Sequence, residues 1–483
     1  MPGYYVENFG CRATQADGAA LERQFADQGL ERASNASQAS VVVLNTCTVT
    51  SAADQDARSA IRRVRRQNPK AKIVVTGCYA QRAPEEIAAL PGVSLVVGNS
   101  HKHQLAAISL PKNSTGSGNP AFVPLGAVGS IAGSRAPEAE SQIFVSDIFA
   151  HTELLAAPVF DAANERTRPN LKIQDGCDNR CSFCVIPYVR GQSRSLESAR
   201  IIQEVNTLVQ AGYREVVISG INLGRWGRDL GSRLQASGSG QPGTGFLKPR
   251  ARSPKPTLVS LIQRILEETT LEKLRISSVE PMDWSDELIE LVATSPRIAK
   301  HAHVPMQSGS DAVLRRMHRK YRPWHYREKI EKIRAAMPDA AIGADVMVGF
   351  PGETDAEFEA TRQMIEDLPF TYLHVFTYSA RPGTPAAEMK NQVPVHVARE
   401  RNRILRELAS EKKLAFMRSF IGKTVAAITL NVTGNDADGD FTEALTDNYL
   451  KLRLLGRHDP NCWNRATVHK VNDGTLSGLR RAG

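Results

Sequence analysis

The chain has 483 residues, room for two to four domains of ordinary size. Its 41% hydrophobic content supports true cores and excludes wholesale disorder, and seven cysteines, sparse and odd in number, exclude a disulfide scaffold. The formal charge of +10 favours a polyanionic partner, weakly, because the surplus is spread over a long chain. No apolar run approaches the ~18 residues that span a bilayer. The first residues, Met1-Pro2-Gly3-Tyr4-Tyr5-Val6-Glu7-Asn8, have no basic stretch leading into an apolar one, so no signal peptide and no membrane partner are expected. The expected compartment is the cytoplasm, where thiols stay reduced and sparse cysteines act as ligands or nucleophiles.

Residues 1–104 alternate strand and helix signals. Tyr4–Phe9, Ser40–Leu44, Lys72–Thr76 and Val93–Val97 read as strands. Gly18–Gln28, Ser51–Gln67 and Pro84–Leu90 read as helices. That order predicts a parallel sheet covered by helices. Residues 105–165, with the turn-rich stretch Lys112-Asn113-Ser114-Thr115-Gly116-Ser117-Gly118, read as a linker carrying at most a short hairpin. Alternation resumes over 166–400, with strands at Leu171–Gln174, Glu215–Ile218, Lys273–Ile276, Ala302–Pro305, Ala341–Val348 and Tyr372–Phe376. Repeated strand–helix units of this length predict a complete or partial (β/α) barrel. A Gly/Ser-rich insertion, Gln235–Gly243, interrupts it. The tail, 415–483, has short strands at Thr424–Leu430, Tyr449–Leu454 and Ala466–Val471, with a turn at Asp438-Gly439-Asp440, and reads as a small all-β module.

The cysteines divide into three, three and one. Cys177, Cys181 and Cys184 form a C-x3-C-x2-C run, and three thiolates so close can hold three irons of a cubane cluster while the fourth stays open. A zinc site wants four protein ligands at other spacings. Cys11, Cys47 and Cys78 are far apart in sequence, but each follows a strand candidate by a residue or two. Parallel strands end on one edge, where ligands bind. A single Cys there is most often a small buried hydrophobe; three at equivalent positions point to a second three-thiol site. Gly10 and Gly77 permit the tight turns. Cys462 has no ligand-spaced neighbour and reads as structural.

The C-x3-C-x2-C run, with Phe183 just before its last Cys, resembles the radical S-adenosylmethionine (SAM) enzymes. Two tri-Cys sites followed by a β module resemble more narrowly the radical SAM methylthiotransferases, over nearly the whole chain. Asn45-Thr46-Cys47-Thr48-Val49-Thr50, Thr76-Gly77-Cys78-Tyr79-Ala80-Gln81, Ser277-Ser278-Val279-Glu280-Pro281, Pro305-Met306-Gln307-Ser308-Gly309-Ser310-Asp311 and Thr446-Asp447-Asn448-Tyr449-Leu450 are most similar to members acting on N6-threonylcarbamoyladenosine in tRNA. One departure is Thr14, where the family usually carries Asn three residues after the first Cys.

The resemblance implies an N-terminal cluster domain, a radical SAM partial barrel and a C-terminal TRAM domain. It implies SAM and two [4Fe–4S] clusters, on Cys11, Cys47 and Cys78 and on Cys177, Cys181 and Cys184. One SAM would methylate a sulfur at the first cluster. A second would be cleaved at the other to a 5′-deoxyadenosyl radical that takes hydrogen from C2 of the modified adenine at position 37, beside the anticodon. Phe183 would lie near the SAM adenine, and Ser219, Gly220 and Asn222 at its methionine end. Glu280 would face the ribose hydroxyls, and Gln307 and Ser308 would line the pocket. The implied partners are a tRNA anticodon stem-loop, a reductant such as flavodoxin or ferredoxin, and an unspecified sulfur donor.

RNA contacts are expected from Arg58, Arg62, Arg63, Arg65, Arg66 and Lys70, from Arg315, Arg316, Arg319, Lys320 and Arg322, and from Tyr449, Lys451, Arg453, Arg457 and Trp463. Two other readings compete. One keeps the reaction but moves it to isopentenyladenosine of tRNA or an aspartate of a ribosomal protein. The other is an RNA-binding iron–sulfur electron carrier or redox sensor. The open-site Cys run argues against the latter, since carriers take four protein ligands per cluster.

Overall fold

The computed structural model describes residues 3–110, 141–151, 154, 168–230, 255–437, 439–472 and 474–481. Two expected features, the turn-rich stretch 112–118 and the insertion 235–243, lie outside them, as does Asp438. The chain forms two compact units, Met1–Gly10 with Leu21–Thr48 and Ala52–Ile148, and Cys11–Ala20 with Val49–Ser51 and Phe149–Gly483. Among the described residues no helix is long and apolar enough to cross a membrane.

The first unit is built on a six-stranded sheet in the order Glu31–Arg32, Gly3–Asn8, Val41–Thr46, Lys72–Gly77, Val93–Gly98, Gln142–Phe144. Every pairing is parallel. Val41–Thr46 is buried at all six positions, as a central parallel strand covered on both faces must be. The amphipathic helix Ser51–Gln67 supplies Ala57, Ala60, Ile61 and Val64 to the core beside Val42, Leu44, Ile73 and Val75. Of the stretch read as a linker, Leu105–Ser109 is helical and Gln142–Phe144 adds an edge strand parallel to Val93–Gly98, while 111–140, 152–153 and 155–165 lie outside the described residues. Three residues offer too short a period for a sequence pattern to reveal.

In the second unit, six parallel strands follow in succession: Asn170–Asp175, Glu215–Gly220, Lys273–Ile276, His301–His303, Ala341–Val348 and Tyr372–Thr377. They form a four-stranded and a three-stranded sheet, the former edged by antiparallel Arg194–Ser195. The bridge Leu274–Ile298 and the bond from Val279 N to His303 O link the two. The result is a partial (β/α) barrel whose core runs from Leu171 and Ile218 through Ile276 and Val304 to Ile342 and Phe370.

The helix Val395–Arg418 leads to a closed five-stranded barrel, ordered Thr424–Asp436, Gly439–Thr446, Lys451–Leu455, Thr475–Arg480, Trp463–Asn472. Closure removes the free edges that short strands would otherwise expose. Thr424–Asp436 runs longer than the sequence indicates, because its pairing with Gly439–Thr446 resumes after a register shift between Thr429 and Thr433 and carries it through Asn435 to Asp436.

Candidate active site

In the (β/α) unit, the C-terminal strand ends open on a cavity of about 540 Å³. Cys177, Cys181 and Cys184 line it, following Asn170–Asp175 in a loop. Phe183, Ser219, Gly220, Asn222, Glu280 and Gln307 line it too. Ligand sites of (β/α) barrels lie at this end because side chains from successive strands converge there.

Gln174 ties the Cys loop to the next strand. Its Nε2 donates to the carbonyls of Asp175 (2.9 Å) and Gly176 (2.8 Å), and its Oε1 accepts from Asn222 N at 2.7 Å. Gly176 has φ +70, and a Cβ there would stand 1.9 Å from Gln192 O, so only glycine closes this turn. Beneath it lies a buried charge network. Lys172 pairs with Asp17 and, at 2.8 Å, with Asp175; Arg190 reaches Asp17 and Asp175 at 3.0 Å each. Burial alone would push the Asp175 carboxyl up; Arg190 and Lys172 outweigh it and hold it well below the usual carboxylate range.

Several donors aim at the sulfurs. Asn179 N stands 3.4 Å and Asn222 Nδ2 3.6 Å from Cys177 Sγ; Arg319 Nη1 is 3.3 Å from Cys181 Sγ. Burial pushes the Cys177 thiol up, and the Cys184 thiol up to about 12. Three thiols sharing a cavity with N–H donors aimed at two of them suit anionic, iron-bound sulfur. Ser219 Oγ and Asn222 Oδ1 are buried without a hydrogen-bond partner, as expected of groups waiting for a polar ligand. Arg319 also pairs with Glu280, whose carboxyl burial pushes up against that pull.

Gln307 takes φ +63, unusual outside glycine. Its backbone is held in place by bonds from Gln307 N to Asp345 O and from Met347 N to Gln307 O, 2.8 Å each. Ser308 does not line the cavity. It is 1% exposed, its hydroxyl lies 3.1 Å from Thr361 Oγ1 and accepts from Ser310 N, so it fixes the turn instead. Phe183 packs edge-on against Phe350, centroids 6.4 Å apart.

The basic run at 315–322 is mostly occupied. Arg315 and Arg322 reach Asp311, Arg316 pairs with Glu357, and Arg319 is buried at the Cys181 sulfur rather than facing RNA. Tyr449, expected among the RNA contacts, lines the cavity. The turn after Gly439–Thr446 puts it at φ +66, with Arg275 5.2 Å and Arg168 5.9 Å over its ring. Arg12, His301, His303, Asp345, Tyr372 and His374 line the cavity as well, and nothing but their polarity marks them in the sequence.

His301 Nε2 lies 2.6 Å from the Tyr372 hydroxyl. Burial, then the charge of Arg275, holds the imidazole well below its ordinary value of 6.5. A histidine with depressed folded-state proton affinity contributes stability that is complete above its unfolded value and lost as pH falls below it. Thermal unfolding should therefore steepen in pH dependence below about 6.5, by about 1.4 kcal/mol per pH unit for this group. His301→Gln is expected to remove that part of the slope; an unchanged slope would refute the assignment.

In the sheet unit, Cys47 and Cys78 directly follow the adjacent parallel strands Val41–Thr46 and Lys72–Gly77, which pair Thr46 with Gly77. Gly77 has φ +100, and a Cβ there would meet Thr46 O at 2.3 Å. Both cysteines are buried, and Asn99 Nδ2 lies 3.6 Å from Cys78 Sγ. Alongside, Lys102 Nζ donates to Asn45 Oδ1 at 3.2 Å. Cys11 belongs to the other unit, exposed, with Thr14 Oγ1 3.6 Å from its sulfur. On the helix Ser51–Gln67, Arg58 pairs with Glu86 and Arg63 with Glu7, which leaves Arg62 and Arg66 exposed there.

Residues 3–98 match the profile "Uncharacterized protein family UPF0004", and residues 171–365 match the Radical SAM superfamily. The chain is 36% identical over 451 residues to the threonylcarbamoyladenosine tRNA methylthiotransferase MtaB of Bacillus subtilis, covering 93% of this chain and 90% of the relative. The MtaB of Aquifex aeolicus is 34% identical, covering 93% and 96%. A tRNA-2-methylthio-N(6)-dimethylallyladenosine synthase of Endomicrobium trichonymphae is 30% identical, covering 94% of each chain. Among solved structures, the radical SAM methyltransferase TsrM of Kitasatospora setae superposes with TM-score 0.51 at 15% identity, over 80% of this chain and 75% of that one, a likeness of fold. This chain therefore belongs to the radical SAM tRNA methylthiotransferases, a family whose cofactors are SAM and [4Fe–4S] clusters.

Proposed function

We propose that the protein adds a methylthio group to C2 of N6-threonylcarbamoyladenosine at position 37 of tRNA. The observation that carries this is the cavity, whose lining brings three cysteines together with Ser219, Asn222 and Glu280 and with Arg12, His301, His303 and Tyr449. The names of its more similar relatives support the threonylcarbamoyl substrate.

Cys177, Cys181 and Cys184 would hold one [4Fe–4S] cluster, and the sequence reading assigns Cys11, Cys47 and Cys78 to the other. With SAM bound, the first of these centres supplies one-electron chemistry able to activate an aryl C–H bond, which acid–base side chains cannot do. The protein's part is positioning and exclusion of water. Asn222 and Arg319 orient the sulfurs, Ser219 and Asn222 offer buried polar atoms to the methionine end of SAM, and Glu280 offers an acceptor to its ribose. Phe183 and Gln307 flank them. Residues 1–104 serve as the cluster domain, 166–400 as the radical SAM core and 415–483 as a TRAM-type RNA-binding module. The enzyme works in the cytoplasm with flavodoxin or ferredoxin as reductant.

Nucleoside mass spectrometry of tRNA from a deletion strain tests the substrate. The 2-methylthio mark should vanish from threonylcarbamoyladenosine and persist on isopentenyladenosine; the opposite result would reassign the substrate.

A further inference from the structure

We infer that Arg12 recognises the carboxylate of the substrate's N6 substituent, which makes it the residue that selects an acidic modification over an apolar one. The inference rests on the threonylcarbamoyladenosine reading and adds the determinant of its specificity.

Arg12 lines the cavity, and its Nη2 donates to the Tyr449 hydroxyl at 3.0 Å. Among the described residues it has no carboxylate partner. Its backbone is fixed by Asn170 Nδ2, which donates to Arg12 O at 3.1 Å. Around Tyr449 stand two further guanidiniums, Arg168 and Arg275, which share the single buried carboxylate of Glu215 at 3.7 and 2.6 Å. Three cations, Arg12, Arg168 and Arg275, thus stand with two carboxylates, Glu215 and Asp345. Asp345 also lines the cavity, with its carboxylate 3.3 Å from His303 Nε2. The charge of Arg12 also reaches His301 and His374, where it adds to burial in lowering their proton affinity. The Arg12 guanidinium is therefore left facing the cavity with a phenol as its hydrogen-bond partner, and Arg168 and Arg275 behind Tyr449 add positive charge.

The threonylcarbamoyl group matches that chemistry. It ends in a carboxylate and a hydroxyl, and its ureido linkage offers both donor and acceptor. An isopentenyl group ends in methyls and would cover Arg12 without pairing it, an unfavourable way to bury a charge. A guanidinium suits a carboxylate through its two parallel N–H donors.

The test crosses one substitution with one atom of substrate. Full-length, cluster-reconstituted enzyme is given anticodon stem-loops carrying either threonylcarbamoyladenosine or its threoninamide analogue, and both kcat/KM and binding by fluorescence anisotropy are measured. Wild type should prefer the acid by roughly 10–100-fold, the range of a hydrogen bond to a charged group. Arg12→Gln should bring the preference to within about twofold by losing only on the acid, and Arg12→Lys should restore part of it. Iron content, unchanged in each variant, excludes damage at neighbouring Cys11. Equal weakening of both loops would overturn the inference and assign Arg12 to an RNA phosphate; no change in either would overturn it as well. Failure of wild type to act on either loop would reject the substrate reading, and the inference with it.

Discussion

Cys181→Ala should abolish 5′-deoxyadenosine formation and lower bound iron from about eight to about four per chain. Cys181 lies between Cys177 and Cys184 on the cavity wall, and its sulfur is the one that the buried Arg319 touches. Two remaining thiols cannot hold three irons of a cubane. Cys47→Ala provides the contrast. It stands at the end of a strand in the sheet unit, so it should lose iron to a similar extent, keep SAM cleavage and stop methylthio transfer. SAM cleavage surviving in Cys181→Ala would sink the radical assignment. Unchanged methylthio product in Cys47→Ala would sink the role of the second site.

Asp17→Ala is expected to cost about 3–5 kcal/mol of stability, the usual penalty for stripping one partner from a buried ion network. Asp17 is 1% exposed and pairs with both Lys172 and Arg190, themselves 1% and 2% exposed. Without it, two buried cations lose one of their carboxylates and draw on Asp175, which Arg194 Nη2 also approaches at 3.9 Å. Asp175 is two residues before Cys177, so the loss should also loosen the Cys loop. Denaturant unfolding gives the size of the effect; a change under about 0.5 kcal/mol, the scale of an ordinary surface substitution, would refute it. Adding Lys172→Met should recover part of the loss, since removing the stranded charge removes its desolvation cost.

The strands and helices were largely legible because their signals are local. Val41–Thr46 is an apolar run and Ser51–Gln67 has one apolar stripe, and each pattern depends on residues within a few positions. The proposal for the cysteines rests on a related signal. Thiol ligands are rare and closely spaced in one run, and the others follow strands whose ends a parallel sheet gathers on one edge. Ser308 was misplaced because a hydroxyl beside a pocket residue can equally close a turn, and its partner Thr361 lies 53 residues away.

What sequence alone determined here is the class of chemistry: the cysteines proposed as iron ligands, the strand–helix order that carries them, and the family they resemble. Tertiary structure alone decided which charges are free. Arg319, in a run that reads as an RNA-binding face, is buried on Glu280 and Cys181, whereas Arg12, unremarkable in sequence, meets Tyr449 across 437 residues. A charge's effect depends on its partners and on how much water remains around it, and both are set by closure of the barrel and the turn that seats Tyr449, not by neighbours in the chain.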